Sequence, residues 1–226
     1  MLAAAPFVPT EQIGDALPDI PLVAQDGRPF SLLHSAGNVQ IVTFVYTRCG
    51  DERACPAASG KFAWLQRHLG NAPIRLVEIS IDPAFDTPTV LRAYGRAFGE
   101  DPARWTLATG APAAVGALAT RLGIVAVRSS ATVITHTEAA IVLDEDGRIA
   151  NRVDGANWDP IDVLALARSA SGDRPSPFAA ARLWLSTAVA SCGNAAGGIP
   201  GATMLVVLAV VSAIVTVVVT RAWNAR

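Results

Sequence analysis

Two cysteines, Cys49 and Cys55, are separated by the five residues Gly50 to Ala54, and Pro56 follows the second at once. A thiolate attacks disulfides and binds soft metals, so a close pair can do redox chemistry or hold an ion. His136, between Thr135 and Thr137 just ahead of an apolar run, is the imidazole that completes the set. Two thiolates suit Cu(I), and a ring nitrogen extends such a site to Cu(II) or zinc. On residue types alone, four readings stand open: buried inert thiols, a structural disulfide, a redox pair and a metal site. His34 and His68 have no motif around them. Cys192 is remote from the pair and solitary.

The elements that must position these groups are legible around them. Ile41 to Tyr46, apolar but for Thr43, reads as a buried strand. Pro56 suits the first turn of a helix, where a missing N–H costs nothing. The helix reads from Pro56 to about Leu69, with Phe62, Leu65 and Leu69 at helical spacing. Six residues apart on one helix, two Cβ atoms point about 240° apart. Cys49 therefore belongs to the loop and Cys55 to the helix start, a position expected to favour its thiolate. Asp82-Pro83 ends a second strand, Ile74 to Ile81, and Asp86 with Thr87-Pro88 opens a second helix toward Phe98. Two carboxylates at that end of a strand lie where α/β folds collect their sites, although turns and caps also use such residues.

Further along, the pattern gives a strand at Trp105 to Gly110, a helix at Ala113 to Leu122 and a strand ending at Leu143. A hairpin partner follows at Ile149 to Val153, then a last helix at Pro160 to Ala170. Ile20 to Leu32 reads as two short strands about an Asp-Gly turn. Strands alternating with helices predict an α/β fold of three layers, a mixed central sheet with helices on both faces. Residues 1–12 form an irregular lead-in, 13–170 the domain, and 171–201 a linker with a candidate interfacial helix. Residues 202–220 carry no charge, and 221–226 are a short tail. Nineteen residues at ~1.5 Å each reach about 28 Å, close to the ~30 Å hydrocarbon core, so 202–220 reads as a transmembrane helix. Arg221 and Arg226 follow it, which puts the tail in the cytoplasm and the domain outside. The opening Met1 to Val8 does not read as a signal peptide. With 18 basic and 19 acidic residues and no basic stripe, no nucleic-acid partner is expected.

Taken together, the motifs resemble the SCO/SenC family, thioredoxin-like copper proteins of cytochrome c oxidase assembly. The resemblance rests on Thr43-Phe-Val-Tyr-Thr-Arg-Cys49, Cys55-Pro56, Ile79-Ser-Ile-Asp-Pro83 and Asp86-Thr-Pro88. Leu91, Tyr94, Trp105, Thr109-Gly110, His136-Thr137, Leu143-Asp144 and Gly147 extend it, so that it runs from about Ile13 to Ala170. It implies a thioredoxin-like domain that holds copper, Cu(I) or Cu(II), through Cys49, Cys55 and His136, with Asp82 in support. It also implies a copper chaperone for the dinuclear copper centre of oxidase subunit II, or for another copper protein. Such a protein is tethered to the inner membrane with its domain on the outer, periplasmic side. The alternative is a thiol–disulfide oxidoreductase acting through Cys49 and Cys55. The family's pattern has three residues between the cysteines where this chain has five, and its anchor is more often N-terminal.

Overall fold

The computed structural model describes residues 11–33 and 37–172. The expected transmembrane helix at 202–220, the interfacial helix before it, Cys192 and His34 lie outside these. Among the described residues no helix is long and apolar enough to cross a membrane. In chain order the elements are β1 (Leu22–Ala24), β2 (Pro29–Phe30), β3 (Val39–Val45), α1 (Cys55–His68), β4 (Ile74–Ser80), α2 (Pro88–Ala97) and β5 (Trp105–Thr109). After them come α3 (Pro112–Arg121), β6 (Ala126–Arg128), β7 (Ile134–His136), β8 (Ala139–Leu143), β9 (Ile149–Asp154) and α4 (Pro160–Ala170).

Seven strands form one mixed sheet in the order β2-β1-β5-β4-β3-β8-β9. The centre is parallel, β3 beside β4 and β4 beside β5, while β1 and β8 flank it antiparallel. Every residue of β3 is buried, as a strand covered on both faces requires. Its side chains alternate between two cores. Val39 and Ile41 join Phe62, Leu65, Leu91, Val163 and Leu164 from α1, α2 and α4. Val42 and Phe44 join Val115, Leu118 and Leu122 on the face covered by α3. Each such fully buried aliphatic or aromatic side chain stabilises the fold by roughly 1.5–3 kcal/mol.

All four helices carry a proline in their first turn. Thr87 caps α2 by accepting from Val90 N, and Asp159 caps α4 by accepting from Ile161 N. The expected mixed sheet with helices on both faces is present. One feature is additional: β6 and β7 pair only with each other, as a small antiparallel ribbon outside the main sheet. His136, expected just ahead of a strand, is the last residue of β7.

Candidate metal centre

The site grows from the carboxyl ends of β3 and β4, two adjacent parallel strands paired Val45 to Ser80. Tyr46 to Ala54 leave β3 as a loop, and Cys55 opens α1 directly beyond it. The loop is held by its own polar groups. Asp51 accepts from Arg53 N at 3.0 Å, its carbonyl accepts from Ala54 N at 3.0 Å, and the Cys49 thiol donates to the same carbonyl at 3.7 Å. Nothing in the side chain of Ala54 caps α1, so the start of that helix is fixed by packing. Cys55 sits in a small apolar cluster with Val45, Tyr46, Ala58 and Ile134, against which Cys49 packs.

His136 meets this cluster from the ribbon. Its Nδ1 donates to the Thr137 carbonyl at 2.9 Å, since a carbonyl can only accept. That leaves the Nε2 lone pair facing the Cys55 thiol, 3.5 Å away. Fixing one ring nitrogen so that the other is free is how proteins prepare a histidine to bind a metal. The Tyr46 ring meets the imidazole edge-on, with centroids 6.1 Å apart, and its hydroxyl accepts from Ile134 N at 3.4 Å. Both cysteines are free thiols, Cys55 buried and Cys49 partly exposed. They are near enough that the Cys49 charge acts on both the Cys55 thiol and the Tyr46 hydroxyl. In front of them opens a cleft of about 550 Å³, lined by Tyr46, Cys49, Asp51, Ile134, His136 and Glu138 among others.

Electrostatics alter one expectation. The helix start was expected to favour the Cys55 thiolate, but burial dominates, and together with the neighbouring Cys49 it raises the thiol above its ordinary range. Burial likewise lowers His136, which favours its neutral, ligating form. Cys55 thus holds its proton until a cation or a partner sulfur displaces it. Glu138 faces the same cleft, and its charge is felt by Cys55, His136 and Lys61.

Asp82 is not among the groups that meet in the cleft. It lies behind them, 1% exposed, between two arginines. Arg48, next to Cys49, donates to Asp82 Oδ2 through Nη2 at 2.5 Å and Nε at 3.2 Å. Arg128, from β6, donates through Nη2 to Oδ1 at 2.5 Å. Both guanidinium groups also reach the Ala131 carbonyl in the β6–β7 turn, at 3.1 and 3.2 Å. Burial pushes the Asp82 carboxyl upward, but the two arginines outweigh it and hold the group below the usual carboxylate range. Asp86 is the other carboxylate of the segment, and it is a structural pin. Fully buried, it accepts from Thr47 N, Thr47 Oγ1 and Ser80 Oγ.

Cys55 and His136 are therefore in contact and Cys49 lies alongside. Among the described residues, however, no three His, Cys, Asp or Glu side chains are drawn tightly enough to hold a metal ion as they stand. The donor set still fits copper: two neighbouring sulfurs and a neutral imidazole are soft to borderline ligands. Binding would need Cys49 to turn from the Asp51 carbonyl toward Cys55 and His136. Two residues escaped the sequence reading. Glu138 stands two positions after His136, a spacing that places both on one side of an extended chain. Arg128 carries no local signal, because its partner lies 46 residues away.

The SCO1/SenC family model matches residues 12–170, well over half of the 226-residue chain. The SCO1 protein homolog of Bacillus subtilis (strain 168) is 26% identical over 153 residues, covering 65% of this chain and 78% of that one. BsSco, described as a member of the Sco family of cytochrome c oxidase assembly proteins, superimposes with a TM-score of 0.62. It is 21% identical over 73% of this chain and 98% of its own. ScoI of Bradyrhizobium japonicum, solved with copper bound, superimposes with a TM-score of 0.58 at 23% identity, over 69% of this chain and 99% of its own. These likenesses make the fold thioredoxin-like, with the extra ribbon that carries His136. The chain belongs to the SCO1/SenC family.

Proposed function

We propose that this chain is a copper-binding protein of cytochrome c oxidase assembly. The observation that carries this reading is the contact between the Cys55 thiol and a His136 ring already set in the ligating tautomer, with the Cys49 thiol beside them. Relatives with the same fold support it, since ScoI of Bradyrhizobium japonicum holds copper and BsSco belongs to an oxidase-assembly family. Copper is cargo in this reading. Cys49 and Cys55 lose their protons as Cu(I) arrives, His136 adds its Nε2, and the partly exposed Cys49 is the sulfur that an acceptor thiolate displaces first. The acceptor would be the dinuclear copper centre of oxidase subunit II or another copper protein. The uncharged run at 202–220 would tether the domain to the inner membrane on its outer side, a reading that rests on the sequence.

Titration of the purified protein with Cu(I) under anaerobic conditions, and with Cu(II), tests the site. The wild type should take up one ion, and a Cys49→Ser/Cys55→Ser variant should lose both forms. Wild-type protein that binds neither ion, or Cu(II) binding that survives His136→Ala unchanged, overturns the assignment.

The two free neighbouring thiols also support a thiol–disulfide reading. Cys49, the more exposed, would attack a partner disulfide and Cys55 would resolve the mixed disulfide. The partner gains two electrons and the two protons as its thiols form, and Cys49–Cys55 becomes the disulfide. That exchange should proceed at an unchanged rate in His136→Ala, whereas Cu(II) binding should not.

A further inference from the structure

We infer that Arg128 is a positioning residue which, by pairing with Asp82, straps the β6–β7 ribbon to the body and keeps His136 in the site. Through His136 it sets the preference for divalent over monovalent copper. The second half of this rests on the copper reading above, whereas the first does not.

Apart from Ile134, which packs into the apolar cluster around Cys55, the ribbon has few other ties. Its strands are three residues long and pair only with each other, and Ala126, Val127 and Arg128 are all exposed. At its base, Thr137 Oγ1 accepts from Val125 N and donates to the Gly123 carbonyl. Midway, Ile134 N reaches the Tyr46 hydroxyl at 3.4 Å, a long bond. The charged links all radiate from Asp82. Arg128 joins the ribbon to it directly, and Arg48, aligned by Asp82 and by stacking 4.0 Å from the Phe85 ring centroid, holds the Ala131 carbonyl. Charge-assisted bonds of this kind are about twice as strong as neutral ones. In the ribbon's register Arg128 faces Ile134 and Ala126 faces His136, so the strap grips the ribbon two residues from the imidazole.

Losing the strap should affect the two copper states unequally. Two thiolates satisfy Cu(I), which accepts few, soft ligands. Cu(II) needs more donors and favours imidazole. Weaker placement of His136 therefore falls mainly on Cu(II). Arg128→Ala is a mild change structurally, because Arg48 still pairs with the buried Asp82 and the side chain removed is partly exposed.

The test uses the full-length protein in detergent, with wild type, Arg128→Ala, Arg128→Lys, His136→Ala and the double variant. Affinities for Cu(I) and Cu(II) are measured by competition, and the His136 ring resonances are followed in metal-free protein. Arg128→Ala should weaken Cu(II) about tenfold or more, as changes behind a ligand commonly do, and change Cu(I) by less than about twofold. Arg128→Lys should restore most of the loss. In the His136→Ala background Arg128→Ala should add nothing. A wild-type Cu(II)/Cu(I) preference in Arg128→Ala, or an equal loss when His136 is already gone, overturns the proposal. The metal-free measurement stands apart from the copper reading. His136 resonances that move in Arg128→Ala support the strap even if the wild type binds no copper, and resonances that stay put sink it even if copper binds.

Discussion

A buried thiol at a helix start feels two opposed influences, and at Cys55 the burial wins. The more exposed neighbour, Cys49, is then the reactive member of the pair. At pH 8 an alkylating reagent should modify Cys49 at least ten times faster than Cys55, whose thiol is buried and held protonated. Mass spectrometry of partly labelled protein would show it, and equal labelling would contradict the ordering. A second buried acid lies deeper. Glu78 accepts from Ser59 Oγ at 2.9 Å under α1, and Ser59 also meets the Tyr94 hydroxyl at 2.8 Å. Burial lifts its pKa from the ordinary 4.5 to about 8, against the pull of the bond from Ser59. Between those values the unfolded chain has released a proton that the folded chain keeps. The contribution is thus fully present below pH 4.5 and is lost as pH rises toward 8, by roughly 1.4 kcal/mol per pH unit. Glu78→Gln should remove that slope, so denaturation midpoints of variant and wild type should diverge in the variant's favour between pH 5 and 8.

At the scale of elements, the segment after β4 shows how one carboxylate locks three pieces together. Asp86, itself the residue before the α2 cap, joins the end of β3 through Thr47 and the end of β4 through Ser80. Asp86→Ala leaves a buried N–H and two hydroxyls without their acceptor, and should cost on the order of 3 kcal/mol. A midpoint shift below a third of that would mean the neighbours find new partners. The sequence showed these elements where their signals are local. The Ile41 to Tyr46 run marked β3, and Pro56, Pro88 and Pro160 marked three helix starts; α3 begins one residue before the expected Ala113, at its own Pro112. The ribbon was not legible. Ala126-Val-Arg128 is wholly exposed, and polar residues separate it from Ile134-Thr-His136, so no alternation marks either strand. Cys49, Cys55 and His136 could be named from residue type, but the strap through Arg128 depends on a tertiary meeting that no spacing announces.

For the molecule as a whole, ligand binding and stability are one measurement. An ion bound by the folded chain alone, at about 100 times its dissociation constant, adds roughly 2.7 kcal/mol to stability. Saturating Cu(I) should raise the Tm of wild type by several degrees, and that of Cys49→Ser/Cys55→Ser by nothing. Fractionation tests the other global expectation: the full chain should partition with membranes, and removal of residues 202–226 should release it. The chain order of the proposed ligands has a further consequence. Cys55 follows Cys49 by six residues, whereas His136 comes 81 residues after Cys55. Closing the short loop costs far less chain entropy than closing the long one. During synthesis or refolding the sulfur pair is therefore assembled early, while the imidazole arrives with the last third of the domain. A nascent chain exported to an oxidising compartment, as proposed, would present two neighbouring thiols before it has a histidine to set against them. On the proposed reading, the earliest chemistry open to such a chain is oxidation, and a reductant acting on it would decide whether copper can be taken up.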